Sequence, residues 1–245
     1  MRVLILGGTG DACRLAAQAT NIPGIEIITS LAGRTRQPAK SVTVTRIGGF
    51  GGISGLVKYL QENAIALLID ATHPFADQIS FNAAQAANYC HIPHVILVRP
   101  AWQPVKGDRW IEVSDLKAAA AILPGLAKRV FLTIGRQELS TFAYLENIWF
   151  LMRMIDPPEA DMPIPKGQLL LERGTFTLIQ ERELLKQYQI QTIVSKNSGG
   201  EATYAKIVAA RELNLPVVMV KRPAMPESDR VNDVESALRW LKNFV

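Results

Sequence analysis

Short runs of β-branched and other apolar residues alternate along this chain with longer segments whose apolar positions recur at helical spacing. Residues 3–6, 25–30, 42–47, 66–71 and 94–98 read as strands, and 11–19, 54–63 and 76–90 as the amphipathic helices between them. The stretch "RPAWQPVKGDRW" that follows carries two prolines and a glycine and reads as a crossover. A second series then begins, with strands at 110–113, 129–134, 148–155, 169–174, 190–195 and 217–223. Helices are expected at 114–123, from Gln137, at 202–213 and at 234–244. Strands alternating with helices predict parallel α/β architecture, here as two doubly wound lobes, 1–100 and 101–245.

Open parallel sheets bind ligands outside the carboxyl ends of their strands, so the strand ends carry the functional reading. The first strand runs into "LILGGTGDACR", where Gly7, Gly8, Thr9, Gly10 and Asp11 form an expected pyrophosphate turn at a helix N-terminus. Cys13 stands where a third glycine usually eases helix packing, and no Gly-Lys-Ser/Thr follows, which excludes a Walker loop. After the second strand, "TSLAGRTR" offers Ser30, Gly33, Arg34 and Thr35 with no carboxylate to hold ribose hydroxyls. Hydroxyls beside arginines suit a 2′-phosphate, so NADPH is the expected cofactor, with NADH the other possible donor. The first lobe is therefore expected to bind the dinucleotide.

The fourth strand ends in "DATHPFA", which sets Asp70, Thr72 and His73 near the cofactor mouth, on a loop just before Pro74 opens the next helix, with Asp70 and Thr72 expected to bind the cofactor. His73 is the expected general acid, its unperturbed pKa of roughly 6.5 suiting that work, and Tyr204 is the second choice. His91 and His94 read as structural. In the second lobe, "LTIGRQEL" places Gly135 and Arg136 at a strand end. The stretch "IVSKNSGGEATYAK" crowds Ser195, Lys196, Asn197, Ser198, Gly199 and Gly200 at another, with Lys206 beyond. Together with Arg99, these are the expected substrate-binding residues, able to hold an anion through charge-assisted bonds. Tyr204 and Lys206 are too close in sequence for the Tyr-x-x-x-Lys pair of short-chain dehydrogenases.

Composition narrows the classes. The 245 residues are 48% hydrophobic and 20% charged, ordinary values for a globular protein. No apolar run approaches the roughly 18 residues needed to span a bilayer, and no signal-peptide pattern precedes the first strand. No membrane association and a cytoplasmic location are expected. Lys and Arg exceed Asp and Glu by 27 to 22, spread along the chain without the dense stripe of a nucleic-acid binder. Cys13 and Cys90 read as small buried hydrophobes, and the three histidines form no metal motif, so no metal site is expected.

The blocks "ILGGTGDA", "LAGR", "DATHPFA", "RPAW", "TIGRQEL" and "SKNSGG…TYAKIVAARELNLPVVMVKRP" closely resemble the precorrin-6A reductases of cobalamin biosynthesis, including the cobalt-precorrin-6A form. That resemblance implies paired Rossmann-like domains with a ligand cleft between them. It also implies a reduced nicotinamide dinucleotide saturating one C=C bond of a ring-contracted tetrapyrrole to give the 6B product. Two lobes in one chain make a monomer the expected state. Reduction of another anionic substrate, or a non-catalytic dinucleotide-sensing module, are the alternatives the residues leave open.

Overall fold

The computed structural model describes residues 1–33 and 43–245. The chain divides into two compact units, Met1–Pro100 with Pro223–Val245, and Ala101–Arg222. In the first unit the order is β1 (Arg2–Leu6), α1 (Gly10–Ala19), β2 (Glu26–Leu31), β3 (Val44–Ile47), α2 (Gly52–Glu62), β4 (Ile65–Asp70), α3 (Asp77–Cys90) and β5 (His94–Leu97). The second unit holds β6 (Trp110–Val113), α4 (Leu116–Ile122), β7 (Arg129–Thr133), β8 (Trp149–Met154), β9 (Gly167–Leu171), α5 (Leu178–Gln187), β10 (Thr192–Lys196), α6 (Ala205–Glu212) and β11 (Val217–Val220). Then β12 (Asp229–Val231) and α7 (Val234–Lys242) return to the first unit.

Both sheets are six-stranded, in the orders β12-β5-β4-β1-β2-β3 and β6-β11-β10-β7-β8-β9, and every recorded strand pair is parallel. Read from β1 and from β7, each has the Rossmann-like order 3-2-1-4-5 with a sixth strand at the edge. The chain reaches those edges by a reciprocal exchange. After β5 it leaves through "VRPAW" to supply β6 to the second sheet, and after β11 through "KRPAM" to supply β12 to the first. Each edge strand is followed by an Asp-capped helix: Asp115 accepts from Ala118 N at 2.8 Å and Asp233 from Ser236 N at 2.7 Å.

The expected lobe of 101–245 thus ends at Arg222. The physical reason is burial: α7 turns Ala237 and Leu241 onto a cluster with Val3, Leu15 and Ala19 of β1 and α1. On the opposite face α2 and α3 cover Leu4, Leu6 and Leu68. In the second unit α5 and α6 close over Phe131, Leu151 and Ile193. These buried runs, apolar on both faces, are what a sheet covered on both sides requires.

Candidate active site

In the first unit the turn after β1 is held from several sides. Gly7 N donates to Ser30 O at 2.8 Å and Ala71 N to Leu6 O at 2.9 Å, which brings the ends of β1, β2 and β4 together. Thr9 caps α1, its hydroxyl accepting from Ala12 N at 3.1 Å and donating to Ala71 O at 2.8 Å. That hydroxyl both donates and accepts within the turn itself, so Thr9 shapes the loop. Gly8 adopts φ +111°, and a Cβ at Gly8 or at Gly10 meets nothing within 4 Å. That open cradle, at the N-terminus of a helix, fits the pyrophosphate of a dinucleotide.

Asp11 lies in the first turn of α1, where a bare carboxylate would repel such an anion. It is paired with Arg14 and with Arg99, whose Nη1 lies 2.8 Å from Asp11 Oδ2. Burial pushes the Asp11 carboxyl up, but the hydrogen bonds from Arg14 and Arg99 outweigh it and hold the group below the ordinary carboxylate range. Arg99, expected on the substrate side, is thus paired with a residue that follows the glycine turn. Cys13 is exposed, not packed: the buried stripe of α1 is Ala12, Leu15, Ala16 and Ala19, and position 13 falls off it. The tight approach is made by Gly7, whose Cβ would stand 3.3 Å from Leu31 and Thr29.

At the end of β2, Ser30 is buried and its hydroxyl accepts from Arg46 Nη1 at 3.3 Å. Arg46 is a residue the sequence reading missed. It faces Ser30 across the β2–β3 pair, donates to the carbonyls of Gly48 and Gly49, and lies 3.9 Å from the Phe50 ring centroid. An arginine two residues before a Gly-Gly was the available signal. Gly33 has φ +75° beside Ile47. Arg34 and Thr35 lie outside the described residues.

The β4 end carries Asp70, 1% exposed, whose Oδ1 accepts from Thr72 N at 3.0 Å and Thr72 Oγ1 at 2.7 Å. Its Oδ2 is buried with no hydrogen-bond partner among the described residues. His73 follows on the same loop, and its Nδ1 accepts from Phe75 N at 3.2 Å. An acceptor Nδ1 places the proton of the neutral ring on Nε2.

In the second unit two of the expected cations, Lys196 and Arg136, are each matched with a carboxylate. Lys196 Nζ bonds Glu138, whose other oxygen accepts from Gly135 N at 3.1 Å. Arg136 Nη1 reaches Pro157 O at 2.9 Å and Glu159 at 3.2 Å. Ser195 is buried and donates to Lys196 O at 3.2 Å. Tyr204 OH accepts from Arg211 Nη2 at 2.9 Å, and Arg211 is in turn paired with Asp108 at 2.8 Å. Lys206 is only 4% exposed; it donates to Thr203 O at 3.0 Å and lies 5.3 Å from the Trp102 ring centroid. Tyr204 and Lys206 therefore sit in the packing behind the polar loop.

Asn197, Ser198, Gly199 and Gly200 form that loop. Asn197 is buried and exchanges two hydrogen bonds with the backbone of Trp102, at 2.8 and 3.0 Å. Gly199 and Gly200 both take φ near +70°, at +69° and +72°, a conformation open to glycine without strain.

Fold and strand-end chemistry define an α/β protein of the dinucleotide-binding type. The family model "Precorrin-6x reductase CbiJ/CobK" matches residues 2–242, and the chain belongs to that family, oxidoreductases that act on a carbon–carbon double bond in cobalamin biosynthesis. It is 49% identical over 241 residues to the precorrin-6A reductase of Rhodococcus erythropolis, covering 98% of this chain and 97% of the relative. With the Rhodobacter capsulatus precorrin-6A reductase it shares 44%, covering 98% and 95%. A solved structure of the CobK precorrin-6A reductase superimposes with a TM-score of 0.93 at 43% identity, over 99% of this chain and 96% of that one. The cobalt-precorrin-6A reductase of Priestia megaterium is more distant, 27% identical over 98% of both chains.

Proposed function

We propose that this chain reduces one C=C bond of precorrin-6A, in the metal-free form, with NADPH as donor. The observation that carries the substrate is the gap between relatives: full-length identity of 49% and 44% to precorrin-6A reductases against 27% to a cobalt-precorrin-6A reductase. The first unit takes the dinucleotide at the Gly8–Gly10 turn, with Gly7 and Thr9 shaping the turn and Arg99 and Arg14 offsetting the Asp11 charge. Ser30, Gly33, Arg34 and Thr35 take the adenosine end, and Asp70 and Thr72 the end nearer the chemistry. NADPH rather than NADH rests on the arginine-rich, carboxylate-free sequence after β2. When bound, the reduced nicotinamide supplies a hydride.

The reaction adds that hydride to one carbon and a proton to its neighbour. The protein's task is to hold donor and acceptor carbons about 3 to 3.5 Å apart. His73 Nε2 delivers the proton in this reading, with Phe75 N–H fixing the tautomer through Nδ1. The acetate and propionate carboxylates of a tetrapyrrole are received at Gly135, Arg136, Lys196 and the 198–200 loop, competing with Glu159 and Glu138 for the cations. The test is a comparison of kcat/KM for NADPH and NADH with each form of the substrate. The metal-free substrate and NADPH are expected to give the highest value, and Arg34→Ala to weaken NADPH use much more than NADH use. Preference for the cobalt form, or an equal effect of Arg34→Ala on both donors, would overturn the corresponding assignment.

A further inference from the structure

We propose that Trp102 and Arg222 are positioning residues that set the 197–200 loop as a receiver for a substrate carboxylate. The inference rests on the substrate assignment above and adds two residues to it. Both belong to the segments by which the chain crosses between sheets, "VRPAW" after β5 and "KRPAM" after β11, and both bear on one loop.

Toward the loop's backbone carbonyls the crossovers supply the donors. Arg222 Nε donates to Asn197 O at 2.8 Å, and Arg222 Nη2 to Ser198 O at 3.0 Å. Trp102 Nε1 donates to Gly200 O at 2.8 Å. The Asn197 side chain is consumed by Trp102 N and O, and Asn197 N donates to Val220 O at 3.0 Å. Three of the four loop carbonyls are thus tied back to the framework.

A planar trans peptide points its N–H opposite to its C=O. Fixing the carbonyls of 197, 198 and 200 therefore aims the N–H groups of 198, 199 and 201 the other way. Ser198 N is taken up locally by Lys196 O at 2.7 Å, which leaves Gly199 N–H and Glu201 N–H aimed away from the framework. Two successive glycines at positive φ permit this. A surface from which carbonyls are withdrawn and amides advanced accepts anions and disfavours cations. A carboxylate of the substrate supplies the matching acceptor, as a charge-assisted bond.

The test uses the full chain with Trp102→Phe, which deletes the donor to Gly200 and keeps the ring and backbone, and with Arg222→Met and Arg222→Lys. Amide hydrogen exchange of the ligand-free proteins reads the tie-back. Trp102→Phe and Arg222→Met are expected to speed exchange at the hydrogen-bonded amides of Asn197 and Ser198 while β7 and β10 keep their protection. Steady-state kinetics reads its use: KM for precorrin-6A is expected to rise about tenfold, the scale of a lost hydrogen bond to a charged group. The Kd for NADPH should stay unchanged, and Arg222→Lys should recover part of the loss. Unchanged exchange would overturn the tie-back. Faster exchange with unchanged KM, or KM and NADPH Kd rising together, would overturn the carboxylate role. Failure of the substrate assignment would show differently, as absence of turnover in the unsubstituted protein.

Discussion

His73 is defined less by its own position than by the atom it presents. Because Nδ1 is engaged by Phe75 N–H, substitution by Asn retains an acceptor for that amide and removes the proton carried on Nε2. His73→Asn is expected to lower kcat about a hundredfold, within the usual range for a lost general acid, with the pH profile flattened and the NADPH Kd unchanged. An unaltered kcat and pH profile would exclude the acid role. Residue chemistry of this kind was legible in sequence only as type and place. Tyr204 and Arg211 stand seven residues apart on α6 and its cap, but that Arg136 and Lys196 face Glu159 and Glu138 depends on partners distant in the chain. No local spacing announces them.

Among the elements, β8, α5 and α6 enclose an uneven set of charges. Arg153 and Glu181 pair at 2.6 Å with side chains 7% and 0% exposed, and Glu181 Oε2 has no hydrogen-bond partner among the described residues. Lys206 on α6 is brought from 10.5 down to about 7, first by burial and further by Arg153, against the opposing pull of Glu181. The unfolded chain therefore binds more protons than the folded one between those values, so this residue makes stability rise with pH from about 7 upward. The slope is at most about 1.4 kcal/mol per pH unit. Urea unfolding at a series of pH values above neutrality should show that rise in the native chain and a smaller one in Lys206→Met. Equal slopes in both would contradict the burial account. The strand series is readable from its apolar runs, whereas α5 has no comparable apolar signal, and its sequence mark is the capping box of Thr177 and Gln180, T-x-x-Q. Cys13 differs from expectation for a related reason: the glycine pattern suggests packing, while the 12, 15, 16, 19 stripe of α1 shows which face is buried.

For the whole molecule, the informative feature is the exchange of edge strands. Sequence separates the two α/β series cleanly at "RPAWQP", but β12 is only Asp229–Val231 and carries too little pattern to reveal which sheet it completes. Its return places Ala237 and Leu241 in the core of the first unit, so removal of 223–245 would uncover the outer face of α1 and β1. That truncation is expected to destabilise the first unit selectively. Limited proteolysis should cut within 1–100 while 101–222 resists. Equal resistance of both units would mean that the returning strand and helix are dispensable, contrary to their burial.

The proposed reaction moves a hydride from NADPH and a proton, ultimately from solvent, onto one C=C bond of precorrin-6A. Its most direct test is mass spectrometry of the product formed in ordinary water with NADPH carrying deuterium at the transferable nicotinamide position. The expected result is a dihydro product with a single deuterium on one carbon and a solvent hydrogen on its neighbour. A product without deuterium, or precorrin-6A recovered unreduced beside intact NADPH, would contradict it.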